Sequence, residues 1–207
     1  MSALQKLDNK RRSRDEIIEI AIQMFADRGF ASVSMRDLAA ACDMTPAALY
    51  HHFPDKSALY LEAARQALLP KMGGLQQVLE KSVNIDAMVE LFVTWFVDLI
   101  ANDANFRRML AQELLDVDRY RLERISERVL GPPIHQLADL CDRFLPGENP
   151  YLIGFSVMSL VLGHYQLDPI RRTLGPNELT SLSQEEITAH IIDMVMHGLS
   201  LKKRAPL

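Results

Sequence analysis

The sequence predicts an all-α chain: a three-helix N-terminal head carrying a helix-turn-helix, then a larger helical bundle. Three observations predict it. Residues Ser34 to Phe53 hold two helix starts separated by a tight turn. Long segments near 84–101, 149–167 and 183–201 place apolar residues at helical spacing. The chain has 207 residues, 48% of them hydrophobic, which is enough to bury a substantial core.

The first helix is expected over about Arg14 to Arg28. Ile17, Ala21, Met24, Phe25 and Arg28 follow its period, and Gly29 ends it. Asp15, Glu16 and Glu19 crowd its N-terminal end, where the helix dipole favours acids. Ser34 caps the second helix, and Asp37 three residues later completes an S-x-x-D capping box. Leu38, Ala41 and Cys42 give that helix a small apolar face. Asp43-Met44 interrupts the pattern. Thr45-Pro46 restarts it, since Thr is a good N-cap and Pro suits the first helical position. Leu49 and Phe53, four apart, share the inner side of this short third helix. A helix so short cannot stand alone in water, so packing must hold it, and its outward residues are free to touch something.

Two helices crossing through a short turn can place the second in the major groove of DNA. Pro46, Ala47 and Ala48 are small enough for close approach, while Tyr50 and His51 offer hydrogen-bond donors. Lys56 opens the next helix, where a cation and backbone donors can share one phosphate. The competing reading is an ordinary helical corner.

The run LAAACDMTPAALYHHFPDKSAL, from Leu38 to Leu59, resembles the DNA-binding signature of the TetR family of transcriptional regulators. The F-x-x-x-G-F pattern of Phe25 to Phe30 and the following SMRDLA resemble it too. The likeness covers about the first third of the chain. It departs at Asp43, where the family usually has Gly in a left-handed turn, a conformation Asp tolerates better than most residues. Cys42 stands where a small residue is usual and reads as a buried inert thiol. The resemblance implies a DNA-binding head over residues 1–60 and an effector-binding and dimerisation body over 61–207. DNA contacts are then expected from Ser34, Arg36, Thr45, Pro46, Ala47, Ala48, Tyr50, His51 and Lys56.

Asp55 caps a fourth helix running past Gln66, with a kink or break expected at Pro70 and Gly73-Gly74. Asn84 to about Ala101 is apolar nearly all round, as a helix central to a domain should be. Helices over about 105–116, 118–130 and 133–145 follow, with a break at Gly131-Pro132-Pro133. Arg119, Arg121, Arg124 and Arg128 alternate with Glu123 and Glu127, which reads as a solvated face of local ion pairs. Residues 149–167 carry no formal charge, but Pro150, Ser156, Ser159, His164 and Gln166 argue against a membrane span. Residues 168–175 read as a short connecting turn of helix. The last helix, about Ser183 to Leu201, shows a stripe of Ile187, Ile191, Met194, Val195, Gly198 and Leu199. With Phe155 and Leu162, its members Ile187, Ile191, Met194 and Val195 are the expected homodimer interface, a four-helix arrangement across a two-fold axis.

The net charge is −4, and its distribution matters more than its sum. Lys6, Lys10, Arg11, Arg12 and Arg14 face only Asp8 in the first fourteen residues, a basic arm able to reach DNA or simply a solubilising tail. Lys202-Lys203-Arg204 is read as a solvated end. Two unclustered cysteines suit a reducing cytoplasm, and the N-terminal segment has no signal-peptide core. No nucleophile elbow, phosphate loop, dinucleotide fingerprint or zinc-protease motif occurs, and the histidines lack metal-ligand spacing. An enzyme, a cofactor and a metal are therefore not expected.

The body is rich in Met and Phe. Its residues Phe92, Trp95, Phe96, Met109 and Met158 read either as plain core or as the lining of a cavity for an apolar or amphipathic effector. Trp95, His135, His164 or Tyr165 would supply the few polar contacts such a cavity needs. The expected function is a repressor released from near-palindromic double-stranded DNA by a small effector. An activator or constitutive binder of the same build, or a helical-bundle enzyme or lipid-binding protein with a structural helix-turn-helix, remain open alternatives.

Overall fold

The computed structural model describes residues 12–68, 71–115, 118–174 and 181–202. Among them every regular element is helical. Helix α1 spans Arg14–Ser32, α2 Met35–Ala41 and α3 Pro46–His52. Ser13 and Glu16 form a reciprocal capping box at the start of α1. Its apolar residues Ile17, Ile18, Ala21 and Phe25 are buried. Gly29, with φ of 76°, bends the chain there, a conformation costly for any residue with a side chain. A Cβ at Gly29 would also lie 2.6 Å from Oε1 of Gln112, whose amide donates to the Ala26 carbonyl at 3.1 Å. The bend thus turns Phe30 back towards the body.

Helix α4 covers Lys56–Leu68 and α5 covers Met72–Lys81. The interruption expected at Pro70 lies outside the described residues. Gly73-Gly74, expected to break a helix, instead belong to α5. Packing explains Gly74: a Cβ there would sit 2.1 Å from Cδ1 of Trp95, so the indole lies directly on the α5 backbone. The indole N–H donates to the Lys71 carbonyl at 3.1 Å.

Helix α6, Ile85–Asn102, is capped by Asn84 and forms the centre of the body. It contacts α5, α7 (Ala104–Leu115), α10 (Pro150–Gln166) and α12 (Gln184–Lys202). Helix α8, Arg119–Ile125, leads into a π turn over Ser126–Leu130 and then α9, Gly131–Phe144. A break was expected at Gly131-Pro132-Pro133. The chain continues instead, because the prolines occupy the first turn of α9, where no backbone donor is required. The Gly131 N–H reaches back to the Ser126 carbonyl, and a Cβ on Gly131 would come within 2.7 Å of that oxygen. Helix α11, Asp168–Leu174, connects α10 towards α12. Among the described residues no helix is long and apolar enough to cross a membrane.

Head and body share a continuous core. Helix α7 packs on both α1 and α4. Helix α4 runs from the head through residue 60 without interruption, so both halves of the molecule use it.

Candidate nucleic-acid interface and body cavity

The short helix α3 is held from below and open above. Leu49 and Phe53 are buried in the core with Ile17, Leu38 and Leu59. The Thr45 hydroxyl accepts from the Ala48 N–H at 3.2 Å, and Pro46 occupies the first turn. Thr45, Pro46, Ala47, Tyr50 and His51 are exposed, and Ala48 is half-buried. Tyr50 keeps 51% of its surface open, unusual for a large aromatic unless it has something to meet.

Ser34 and Arg36, at the start of α2, are exposed on the same part of the head. The Ser34 hydroxyl accepts from the Asp37 N–H at 3.1 Å, while Asp37 accepts from the Ser34 N–H at 2.9 Å. The Ser34 hydroxyl also donates to the Asp37 carboxylate at 2.6 Å, and this bond first, then that of the Ser34 N–H, holds the carboxyl below its usual range. Ser34, Tyr50 and Lys56 border one shallow surface depression, with Val33 and Met35 in its floor.

Asp43 has φ of 53° and so adopts the left-handed turn conformation itself. Arg12 closes over it: Nη2 donates to the Asp43 carboxylate at 2.8 Å, and Nε donates to the Cys42 carbonyl at 3.0 Å. Arg14 lies over the Phe53 ring at 4.8 Å and meets Glu62 at 3.5 Å. Two of the five cations read as a free basic arm are therefore engaged inside the head. Lys6, Lys10 and Arg11 lie outside the described residues. Lys56, at the start of α4 as expected, is engaged within the head as well. Its ammonium donates to the Phe30 carbonyl at 2.8 Å and sits 4.1 Å from the centre of the Phe30 ring, which directs it towards the bend after α1.

The junction of head and body contains a buried polar cluster. Arg121 and Glu113 are both buried, and Arg121 Nε donates to Glu113 at 2.8 Å. The Tyr60 hydroxyl donates to the other carboxylate oxygen at 2.7 Å. The Arg121 guanidinium lies 4.2 Å over the Phe30 ring, and Phe25, Phe30 and Tyr60 pack edge-on or stacked around it. Arg121 was expected on a solvated face. Arg119 does lie there, paired with Glu123, but Arg121 points inward. Its acidic partner left a trace in the sequence: Phe106, Met109 and Glu113 share one face of α7, so an acid sits in an apolar stripe and requires a buried partner.

The body carries an open cavity of about 280 Å³, bordered by the exposed side chains of Leu114 and Phe155 and just below the usual size of small-molecule sites. Phe92, Trp95, Phe96 and Met158 line it, as expected of an effector cavity. Met109 lines a separate space of about 40 Å³ beside Tyr60 and Glu113. His135 is exposed and bonds the Tyr151 hydroxyl at 3.0 Å, and His164 faces His190 with ring centres 5.7 Å apart. Neither histidine, nor Tyr165, lines the cavity. The polar groups at the wall are Trp95, already bonded to Lys71, and Ser159.

The residues read as a dimer face divide similarly. Ile187, Ile191 and Val195 are buried within the chain, on a helix that packs against α6 and α10. They are thus covered without a second copy. Leu162 and Phe155 line the cavity, Phe155 with half its surface open, and Met194 remains exposed. Tyr151 and Leu152 are the exposed apolar residues of α10 that periodicity alone did not single out. Both cysteines are buried, and burial pushes the Cys141 thiol up to about 11 and raises that of Cys42.

Residues 17–63, spanning α1 through most of α4, match the family model for bacterial regulatory proteins of the tetR family. The head is thus a DNA-binding domain of the tetR type. Over 84 residues it is 34% identical to the HTH-type transcriptional repressor KstR2 of Mycolicibacterium smegmatis, a match covering 40% of this chain and 41% of that protein. The aligned part thus spans about two-fifths of that relative's length. Among solved structures, the fold is similar to that of FadR from Bacillus subtilis in complex with stearoyl-CoA, with a TM-score of 0.71 and 13% identity. That likeness covers 88% of this chain and 97% of FadR. It is also similar to AibR in complex with isovaleryl coenzyme A and operator DNA, with a TM-score of 0.68 and 20% identity. There the covered shares are 87% and 96%. At such identities these structures speak for the TetR fold of head and body together. The relatives found are regulators of transcription, not enzymes.

Proposed function

We propose that this chain is a DNA-binding repressor of the TetR family that acts as a homodimer and is released from its operator by a small apolar or amphipathic effector. One observation carries the DNA-binding part. Helix α3 is pinned by Leu49 and Phe53 while Thr45 to Ala47, Tyr50 and His51 stay open to solvent. In this reading α3 enters the major groove, Arg36 and Ser34 reach adjacent phosphates, and Lys56 holds the head together instead of gripping DNA. Residues 1–60 then form the DNA-binding unit and 61–207 the effector and dimerisation unit, with α4 belonging to both.

The apolar cavity supports an effector, as does the presence of acyl-CoA ligands in the AibR and FadR complexes. Release requires the effector to prefer the form of the dimer whose heads misfit the operator, because equal affinity for both forms shifts nothing. The exposed Tyr151, Leu152 and Phe155 of α10 and Met194 of α12 are the surface we assign to the partner subunit. A cytoplasmic location follows from a DNA target.

The test is retention of a DNA fragment from the region upstream of the protein's own gene. Arg36→Ala with Tyr50→Ala should weaken retention at least tenfold, since contacts of this kind are each worth about 1–3 kcal/mol, while leaving the oligomeric state unchanged. Retention equal to the parent's would remove the DNA-binding reading and favour a helical-bundle protein with a structural helix-turn-helix. Retention that no apolar ligand relieves would leave a constitutive regulator.

A further inference from the structure

We infer that the effector of this chain carries an anionic head, and that Arg65 and Arg128 bind it in a second cavity beside the apolar one. This rests on the effector reading above and narrows it to one chemical class, an acyl chain ending in a carboxylate or a phosphate-bearing group.

The second cavity holds about 270 Å³ and lies where α4, α5, the π turn and the start of α9 meet. Leu68, Leu75 and Pro133 line both spaces, so a single layer of side chains separates them. The two differ in chemistry. The first has almost wholly apolar walls. The second brings together Arg65, Arg128, Gln76 and Gln136. An apolar chamber adjoining one with two guanidinium groups matches a ligand with a tail and a charged head, not a purely apolar one.

The arginines are placed to receive an anion. Arg128 is exposed and has no ion-pair partner among the described residues. Arg65 directs Nε and Nη2 to Glu62, at 3.2 and 2.5 Å, which leaves Nη1 for another acceptor. Glu62 also meets Arg14 on α1. An anion that draws Arg65 towards the cavity therefore competes with a contact inside the head, so the same arginine touches both the ligand site and the DNA-binding unit. The π turn contributes by geometry: its wider winding carries Arg128 and Val129 to the cavity wall ahead of the prolines of α9.

Titration calorimetry on the full-length chain tests this with decanol, decanoate and decanoyl-CoA, which share a tail and differ in charge. At least one anionic probe should bind tenfold or more tightly than decanol. Arg65→Gln with Arg128→Gln should erase that margin and leave decanol binding as it was. Gln136→Glu, an exposed position where a new negative charge does not disturb the core, should weaken the anionic probes alone. Preference for decanoate assigns the head to a carboxylate, and preference for decanoyl-CoA alone assigns it to phosphate. Equal affinity for decanol and both anions, or variants that bind the anions as the parent does, would overturn the anion site while the apolar cavity stands. Binding of none of the three would overturn this inference together with the effector part of the proposed function. DNA retention by the parent protein would still report on the head independently.

Discussion

Arg121 and Glu113 form a buried ion pair at 2.8 Å beneath the ring of Phe30. The pair is nearly closed to water, and the Tyr60 hydroxyl takes the second carboxylate oxygen. Breaking one side of such a pair leaves an uncompensated charge indoors, which costs about 3–5 kcal/mol. Replacing both sides by apolar residues of similar volume is often neutral. Arg121→Met should therefore destabilise the protein by about that amount. The double change Glu113→Leu with Arg121→Met should recover most of the loss. Urea denaturation of the parent, both single variants and the double variant checks this, and additive losses would show that the two residues act separately.

Helix propensity and packing make opposite predictions at Gly74. In a bare helix Ala is better than Gly by about 1 kcal/mol. Here a Cβ would meet the Trp95 indole at 2.1 Å. Steric strain should win, and Gly74→Ala should cost about 1–3 kcal/mol. It should also shift the tryptophan fluorescence, since Trp95 is the single tryptophan of the chain. A stabilised Gly74→Ala protein with unchanged emission would contradict the packing of α5 under Trp95.

The left-handed turn at Asp43 separates two effects at one position. Asp43→Gly relieves the strain of a positive φ but loses the Arg12 pair, which is solvent-facing and worth about 0–1 kcal/mol. The two nearly cancel, so thermal melting should move little. Asp43→Val loses the pair and adds a branched residue to the left-handed region, where L residues pay about 1–2 kcal/mol. Its melting temperature should fall clearly below that of Asp43→Gly. Since both variants lose the Arg12 pair, the reverse order would show that the left-handed backbone does not govern this turn.

Acid should loosen the α10–α12 contact. Burial, then the facing imidazole of His190, then the Arg171 guanidinium hold His164 below its ordinary value of 6.5. The fold therefore prefers the neutral ring, while the unfolded chain takes up a proton as pH falls through about 6.5. The contribution of His164 is complete above that pH and is lost progressively below it, down to the folded value. Melting temperatures measured from about pH 8 to pH 5 should drop in the parent and drop less steeply in His164→Gln. Parallel slopes in the two proteins would rule out this group as the cause.

The head was legible because its signals are local. Ser34 with Asp37, Thr45 with Pro46 and Gly29 each act within one turn of chain, and α2 and α3 start where those residues place them. The left-handed Asp43 was legible for the same reason. The body was harder because its determinants lie far apart in sequence. Gly74 reads as a helix breaker until Trp95, 21 residues later, is seen resting on it. The Gly131-Pro132-Pro133 run reads as a break unless the π turn before it is known. The stripe Ile187, Ile191 and Val195 is a real apolar face, but periodicity cannot say whether α6 or a second copy covers it. Arg121 sits in a row of charges, and nothing adjacent marks it as the one that turns inward.

The sharing of α4 limits how this protein can be rebuilt. Severing the chain behind Leu68 would strip α7 from α1 and leave Phe30, Tyr60 and the Ala26 carbonyl facing water, an adhesive underside prone to aggregate. A hybrid regulator that borrows this reading head for another sensor must import the underside as well. Phe30, Tyr60, Gln112, Glu113 and Arg121 would have to travel as one inherited set, and a hybrid lacking the last three should precipitate or lose its grip on DNA even with every groove-facing residue intact.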